Sequence, residues 1–261
     1  MTLLLCPVCQ SRLKKTDREA VCENNHHFDY AKEGYINLLL KQSVDHGDNK
    51  EMVKARTDFL NTDAYLFLKD RLCEMINEEH PQTLADLGCG EGYYTKDFPA
   101  EEKYGFDVSK AALKHAAKKD KDTQYAVASI FHLPLPDSSV DTAVTCFAPA
   151  ALQEIHRILK DNGSFLFVTP GKDHLMELKE LLYDVPYENV TEDLNTDLTL
   201  EKTETIRNTF TVTDNETLMN LFSMTPYAHR TPKEGIEKLK ETNSLTITAE
   251  FIIRLYRKSA I

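Results

Sequence analysis

An α/β chain with a doubly wound, mainly parallel sheet and a small N-terminal metal-binding domain is the fold class that three features of the sequence predict. Short apolar runs alternate with amphipathic stretches from residue 83 onward, the rhythm of strand and helix in a parallel sheet. The run Leu84-Ala85-Asp86-Leu87-Gly88-Cys89-Gly90-Glu91-Gly92-Tyr93 joins a strand-like segment to three glycines at every second position. Ahead of both, Cys6-Pro7-Val8-Cys9 is followed by Cys22 and His26.

Those four residues form C-x2-C-x12-C-x3-H, a spacing that wraps two ligand pairs around one tetrahedral Zn²⁺. A redox C-x-x-C is the alternative, and it lacks the βαβ surroundings such motifs occupy; His27 is an alternative fourth ligand. A shell closed by Cys6, Cys9, Cys22 and His26 leaves no position for water, so the zinc is expected to be structural. Arg12 to Ala20 reads as a polar hairpin turn, with Phe28 and Tyr30 offering little apolar cover, so this unit is expected to need its metal to fold. Cys73, Cys89 and Cys146 are scattered and read as packing residues.

Lys41 to Lys50 is polar, contains Gly47 and reads as a mobile loop that marks a domain boundary. Helical spacing follows in Glu51 to Leu60 and Tyr65 to Ile76. The organisation expected is therefore a zinc-binding domain over residues 1–40, lead-in helices over 41–80 and a larger domain over 81–261. In that domain the strands expected are Thr83 to Leu87, Tyr104 to Val108, Tyr125 to Ala128, Val140 to Thr145 and Ser164 to Thr169. Helices fit at Lys110 to Lys119 and Leu152 to Leu159, with Asn162-Gly163 as a break before the fifth strand. A helix around His174 to Leu182 and a late strand, Thr246 to Tyr256, suit an antiparallel pair that closes the sheet.

Asp86 opens a D-x-G-x-G-x-G pattern that reads as strand, tight loop and helix start. In an open α/β sheet this junction lets a nucleotide-like ligand approach the backbone closely. The spacing departs from G-x-G-x-x-G, whose glycines serve a pyrophosphate on a helix N-terminus. It resembles the first motif of the class I, Rossmann-like methyltransferases that use S-adenosylmethionine, which implies that Asp86, Gly88, Gly90 and Gly92 hold that cofactor. Asp107, at the end of the second strand, then offers two acceptor oxygens to ribose hydroxyls, while Ser109 suits a helix N-cap. At the third strand end, Ser129 stands where many such enzymes carry an acidic residue facing the adenine. Asp137 and Asp141 read as turn and strand-start residues.

Charge bounds the partners. With 31 basic against 42 acidic residues the formal net charge is −11, which argues against a surface that coats nucleic acid nonspecifically. Arg12, Lys14, Lys15 and Arg18 form a local basic segment, whereas Asp173 to Glu204 is acidic, so RNA is expected from the N-terminal side. The absence of a long apolar run or a basic leader leads to the expectation of a cytoplasmic protein with no membrane association.

A closer resemblance rests on many segments together. These are Cys6-x2-Cys9, Cys22-x3-His26, Asp29 to Leu39, Gly47-Asp48, Glu51-Met52, Ala55-Arg56, Gly88 to Thr95, Asp107 to Lys110, Thr169-Pro170-Gly171, His174 to Lys179 and Met224-Thr225-Pro226. The chain is similar over nearly its whole length to the bacterial 23S ribosomal RNA guanine-N1 methyltransferases. That resemblance implies an acceptor guanine in a hairpin of 23S ribosomal RNA, a zinc domain that serves RNA recognition, and a homodimer. Guanine N1 becomes nucleophilic as its proton leaves; the sequence does not identify the base, and Glu91, Asp48 and Glu51 are candidates by their place in these motifs, each weighed against a helix-surface or capping role. Tyr65, Tyr93 and Tyr94 are candidates for cofactor contact or for stacking on a base, and His174 for substrate contact, each weighed against ordinary packing.

Cys146-Phe147-Ala148-Pro149 ends the fourth strand, the region that faces the reacting atom in this fold, and it lacks an Asn-Pro-Pro-Tyr pattern. A covalent role for Cys146 is disfavoured by its apolar strand. Two other functions remain open on the sequence: methylation of a small molecule, and non-enzymatic RNA binding by a zinc-containing protein.

Overall fold

The computed structural model describes residues 2–40, 48–191 and 193–260. The loop expected at Lys41 to Lys50 therefore lies mostly outside the described residues; Asp48 and Asn49 precede a helix that already includes Lys50.

The N-terminal unit is a three-stranded antiparallel sheet of β1 (Lys14–Lys15), β2 (Glu19–Val21) and β3 (His27–Asp29). Its apolar cover comes from outside the unit, which the sequence reading underrated. Leu4, Leu13 and Ala20 are fully buried in one cluster with Ala85, Tyr104 and Phe106 of the larger domain. The Leu5 amide donates to the Pro134 carbonyl at 2.8 Å, and the Leu3 amide to the Tyr104 hydroxyl at 3.0 Å. Burying leucines such as Leu4 and Leu13 stabilises the docked unit by about 1.5–3 kcal/mol each.

The chain then supplies β4 (Ile36–Asn37) to the edge of the main sheet, parallel to a later strand, so hydrogen bonding crosses the division placed after residue 40. Helix α1 (Lys50–Leu60) begins at Asn49, whose side chain accepts the Met52 amide at 2.9 Å. Helix α2 (Leu66–Glu79) ends at His80 in a left-handed conformation. There follow β5 (Thr83–Leu87), β6 (Glu102–Asp107), α3 (Lys110–Lys119), β7 (Thr123–Val127), β8 (Val140–Cys146), α4 (Leu152–Ile158) and β9 (Leu159–Pro170). The last elements are α5 (Met176–Leu182), β10 (Thr199–Val212), α6 (Asn215–Ser223), α7 (Lys233–Glu241) and β11 (Leu245–Arg257).

The eight-stranded sheet runs β10-β11-β9-β8-β5-β6-β7-β4. Pairings from β4 through β9 are parallel, and β11 adds antiparallel to β9 and to β10. One face carries the cluster shared with the N-terminal unit; the other packs Phe59, Leu72, Val144, Leu166, Phe251 and their neighbours from the helices.

Two local expectations are corrected. No α-helix starts directly after the glycine loop: a 3-10 turn, Thr95–Asp97, ends at Phe98, which precedes Pro99 and is held extended at φ −61°, ψ 129°. Asn162-Gly163 does not interrupt the fifth strand of the parallel set. The bulge it forms lies inside β9, with Asn162 at φ +61° and the pairing to β8 shifting between Val140 and Thr142.

Candidate functional site

At the carboxyl end of β5 the chain turns through Gly88, Gly90 and Gly92, all left-handed at φ +82°, +54° and +74°. The amides of Gly88 and Cys89 both donate to the Phe106 carbonyl, at 2.8 and 3.0 Å. The Gly90 amide donates to Asp107 Oδ2 at 3.0 Å, and the Ser109 amide to Oδ1 at 2.7 Å. Asp107 thus anchors the loop while each oxygen keeps a lone pair for a further donor. Burial raises its pKa against these two amides. Ser109 caps α3, as its spacing predicted, by accepting the Ala112 amide at 3.2 Å.

Beneath the loop, Asp86 is buried, accepts the Thr95 hydroxyl at 2.6 Å on Oδ2, and has no partner for Oδ1 among the described residues. Burial pushes its carboxyl up to about 7; the Thr95 bond opposes this and the Asp107 charge reinforces it. Above the loop, Arg56 of α1 bridges two carboxylates, Asp48 and Glu91, the latter at 3.4 Å. The Ser109 hydroxyl donates to the Asp48 carbonyl at 2.7 Å, so the start of α1 is tied to the end of β6. Glu91 is buried, which raises its pKa in spite of Arg56. Glu51 instead stands exposed in the first turn of α1, away from any ion pair among the described residues.

The other predicted residues separate. Ser129 follows β7 and its hydroxyl accepts the Phe131 amide at 3.2 Å. Tyr94 is buried with a hydroxyl that has no partner among the described residues, edge-on to Tyr93 at 4.9 Å. Tyr93 faces Lys69, whose ammonium lies 4.6 Å from the ring centroid. Tyr65 is buried between Phe59 and Phe251, its hydroxyl 3.5 Å from His174 Nε2. His174 Nδ1 accepts the Glu250 amide at 3.2 Å, and burial holds the ring neutral, its pKa down at about 3. Burial lifts the Cys146 thiol well above its ordinary value, which disfavours a thiolate nucleophile there. Asp141 takes the structural place expected of it, accepting the Thr83 amide at 2.9 Å and pairing with Lys160 at 2.8 Å.

Sequence reasoning missed an apolar strip. Val108, Phe131 and Phe147 are 38%, 55% and 44% exposed, and they follow the carboxyl ends of β6, β7 and β8 respectively. The available signal was an apolar residue directly after β6 and β8 and four positions after β7, where the chain leaves the core. The residues at this edge suit a nucleoside-type cofactor: Val108 and Phe131 would offer apolar cover to a flat base, Asp107 keeps lone pairs for hydroxyls, and Asp86 Oδ1, without a partner among the described residues, lies under the loop.

In the N-terminal unit, Cys6, Cys9, Cys22 and His26 place their ligand atoms within 4.8 Å of one another. Cys9 Sγ lies 3.7 Å from Cys22 Sγ, and His26 Nδ1 lies 3.5 and 3.3 Å from Cys6 and Cys22 sulfurs. Ligands about 2.3 Å from a tetrahedral zinc stand roughly 3.8 Å apart, so this donor set fits the ion. His27 is turned away, bound to Glu19 at 2.8 Å and Asn25 at 3.1 Å, so His26 is the histidine grouped with the three cysteines.

Comparison with known proteins covers both parts. Residues 4–43 match the family described as "RlmA, N-terminal", and residues 85–167 that described as "Methyltransferase domain". The chain is 37% identical over 188 residues to the 23S rRNA (guanine(748)-N(1))-methyltransferase of Streptomyces fradiae, spanning 69% of this chain and 67% of that one. It is 30% identical over 278 aligned residues to a Bacillus subtilis (strain 168) protein named "Putative 23S rRNA (guanine-N(1)-)-methyltransferase YxjB", with 98% of each chain covered. A solved structure titled as a "Putative Type II Methyltransferase from Anaeromyxobacter dehalogenans" superposes with a TM-score of 0.53 at 20% identity, covering 72% of this chain and 95% of that one. At that identity the likeness is one of fold.

Proposed function

This chain belongs to the 23S rRNA (guanine-N1)-methyltransferase family, and we propose that its two halves divide the work between holding RNA and holding the methyl donor. It is an S-adenosylmethionine-dependent enzyme that methylates N1 of a guanine in 23S ribosomal RNA, and its N-terminal zinc is structural. The reading is carried by one relationship: a closed Cys3His unit docked on the same sheet whose glycine loop is anchored to Asp107.

When bound, S-adenosylmethionine supplies a methyl group on a sulfonium already activated by its positive charge. The residues have mainly to align an acceptor and exclude water. In this proposal Asp107 accepts the ribose hydroxyls, Gly88, Gly90 and Gly92 admit the cofactor to the backbone, and Asp86 supports the loop from below. Val108, Phe131 and Ser129 flank the adenine, and Tyr94 and Tyr93 pack behind the loop. Tyr65 acts through the aromatic packing behind the site. Glu91 and Asp48, joined by Arg56, are the carboxylates placed at the loop to receive the N1 proton, whereas Glu51 points to a helix-surface role.

Residues 1–40 recognise a hairpin of the RNA, with Lys14 and Lys15 on exposed β1. No helix among the described residues is long and apolar enough to cross a membrane. From the likeness to 23S rRNA methyltransferases, and not from that absence, we place the enzyme in the cytoplasm beside its RNA, as a homodimer. Light scattering of the purified enzyme tests the dimer. Methyl transfer to purified 23S ribosomal RNA, followed by mapping of the modified base, tests the reaction. Label on a guanine N1 is expected; label on no guanine N1, or only on a small acceptor, would overturn it.

A further inference from the structure

We propose that Phe147 is the platform on which the acceptor guanine stacks, an inference that rests on the reading of guanine N1 as acceptor. Phe147 follows β8, and its amide still donates to the Val168 carbonyl of β9 at 3.1 Å, so its backbone is held by the sheet. It sits at φ +61°, a left-handed conformation that a bulky L residue rarely adopts. That turn lifts the side chain out of the strand plane and leaves it 44% exposed in a fold that buries Phe106, Phe165 and Phe251 completely. Strain of this kind persists where the surroundings over-determine it, and here it presents an aromatic face to the sheet's carboxyl edge.

The ring is backed from inside. Phe251 lies 5.3 Å away and is itself packed by Tyr65 at 4.9 Å and His174 at 4.7 Å. Tyr94, its buried hydroxyl without a partner among the described residues, lies 6.4 Å from Phe147 on the loop side. A ring backed on its inner side by aromatic neighbours and 44% exposed on the other is what an unpaired base can stack on.

Topology fixes which ligand it meets. In the order β8-β5-β6-β7 the chain reverses direction of winding at β5, so the crevice between β5 and β8 is the switch point of the sheet. Asp107 and the adenine-side strip lie on the β6 and β7 side of the glycine loop, and Phe147 lies on the β8 side. The ends of β6 and β8 are two strand spacings apart, roughly 10 Å. The Phe147-Ala148 turn also abuts the loop: a Cβ placed on Gly88 would stand 2.5 Å from Ala148 Cβ. Phe147 therefore faces the side of the donor site opposite to the ribose, where the acceptor must enter.

The test measures methyl transfer to guanine N1 in an RNA hairpin, with S-adenosylmethionine affinity by calorimetry, for F147A, F147G, F147L and F147W. F147G removes the ring and relieves the left-handed strain, so a loss there is not a folding failure. F147A and F147G are expected to lower kcat/KM for RNA by about 5- to 150-fold, with cofactor affinity within about twofold. F147L should behave like F147A, and F147W should restore most of the activity, because stacking needs a π face. The proposal is overturned by an F147G enzyme with unchanged kcat/KM, by F147L matching the parent, or by cofactor affinity falling in step with RNA turnover. If the parent methylates guanine N1 and F147G does so equally well, stacking alone fails; if the parent places no methyl on guanine N1, the functional reading fails and takes this one with it.

Discussion

The amide of Gly90 donates to Oδ2 of Asp107 across 3.0 Å, joining the loop after the first parallel strand to the end of the second. One carboxylate thereby sets the shape of the cofactor loop and remains able to accept ribose hydroxyls. Asp107→Ala is expected to weaken S-adenosylmethionine binding by about 1.5–3 kcal/mol, since charge-assisted hydrogen bonds are lost. Calorimetry returning the parent affinity would contradict this.

Gly88 and Gly90 differ in what a side chain would meet. A Cβ on Gly90 comes no closer than 3.5 Å, to the tip of Arg56, whereas one on Gly88 stands 2.5 Å from Ala148. Gly90→Ala should cost about 1–2 kcal/mol for its left-handed backbone. Gly88→Ala should cost that and about 1–3 kcal/mol more from overpacking. Equal losses in denaturant titrations of the two variants would refute the argument.

Removing one thiolate opens the zinc shell without touching the cofactor loop. Cys9→Ala should release zinc and depress RNA methylation while leaving cofactor affinity within about twofold. A metal assay that finds full zinc occupancy in the variant would count against the four-ligand assignment.

Asp86 links stability to pH. Its carboxyl is raised from 3.8 to about 7 in the folded protein, so between these values the native state holds a proton that the unfolded chain has released. This contribution to stability is complete below the unfolded value and is lost as pH rises through 7. In cofactor-free protein, the fall in melting temperature from pH 5 to pH 8 should be smaller for Asp86→Asn, which can still accept the Thr95 hydroxyl. Parallel curves for parent and variant would show that Asp86 does not titrate there.

His174 makes the opposite demand. Its pKa is lowered to about 3 by burial, so the folded protein keeps it neutral while the unfolded chain gains a proton below about 6.5. Its stabilising contribution is present above that value and is lost as pH falls toward 3. The imidazole resonance of His174 in the folded protein should not titrate between pH 7 and 5; a midpoint inside that window would remove it from the buried aromatic core.

Much of the site was legible because its chemistry is local in sequence. Cys6, Cys9, Cys22 and His26 fall within one short segment, and the geometry of a zinc shell dictates such spacing. Gly88, Gly90 and Gly92 advertise left-handed backbone, and each adopts it. Lys110–Lys119 and Thr83–Leu87 matched their expected bounds because periodicity, an N-cap and full burial all agree there. Where neighbours overrule local preference the reading slipped: Pro99 stops the helix expected after the loop, and backbone hydrogen bonds to Lys258 carry β9 through Asn162-Gly163 between its two points of pairing with β8.

The sequence by itself determined the grouping of Cys6, Cys9, Cys22 and His26, the place of the glycine loop and the alternation of strands and helices, since each follows from backbone geometry over a few residues. Tertiary structure alone decided that the zinc unit borrows its core from the main sheet, that β4 extends that sheet, and that Arg56 reaches Glu91 over the loop. It also decided that Val108, Phe131 and Phe147 share one exposed edge. Residues far apart in the chain meet there only because parallel pairing brings the carboxyl ends of their strands to the same side, a condition no local pattern encodes.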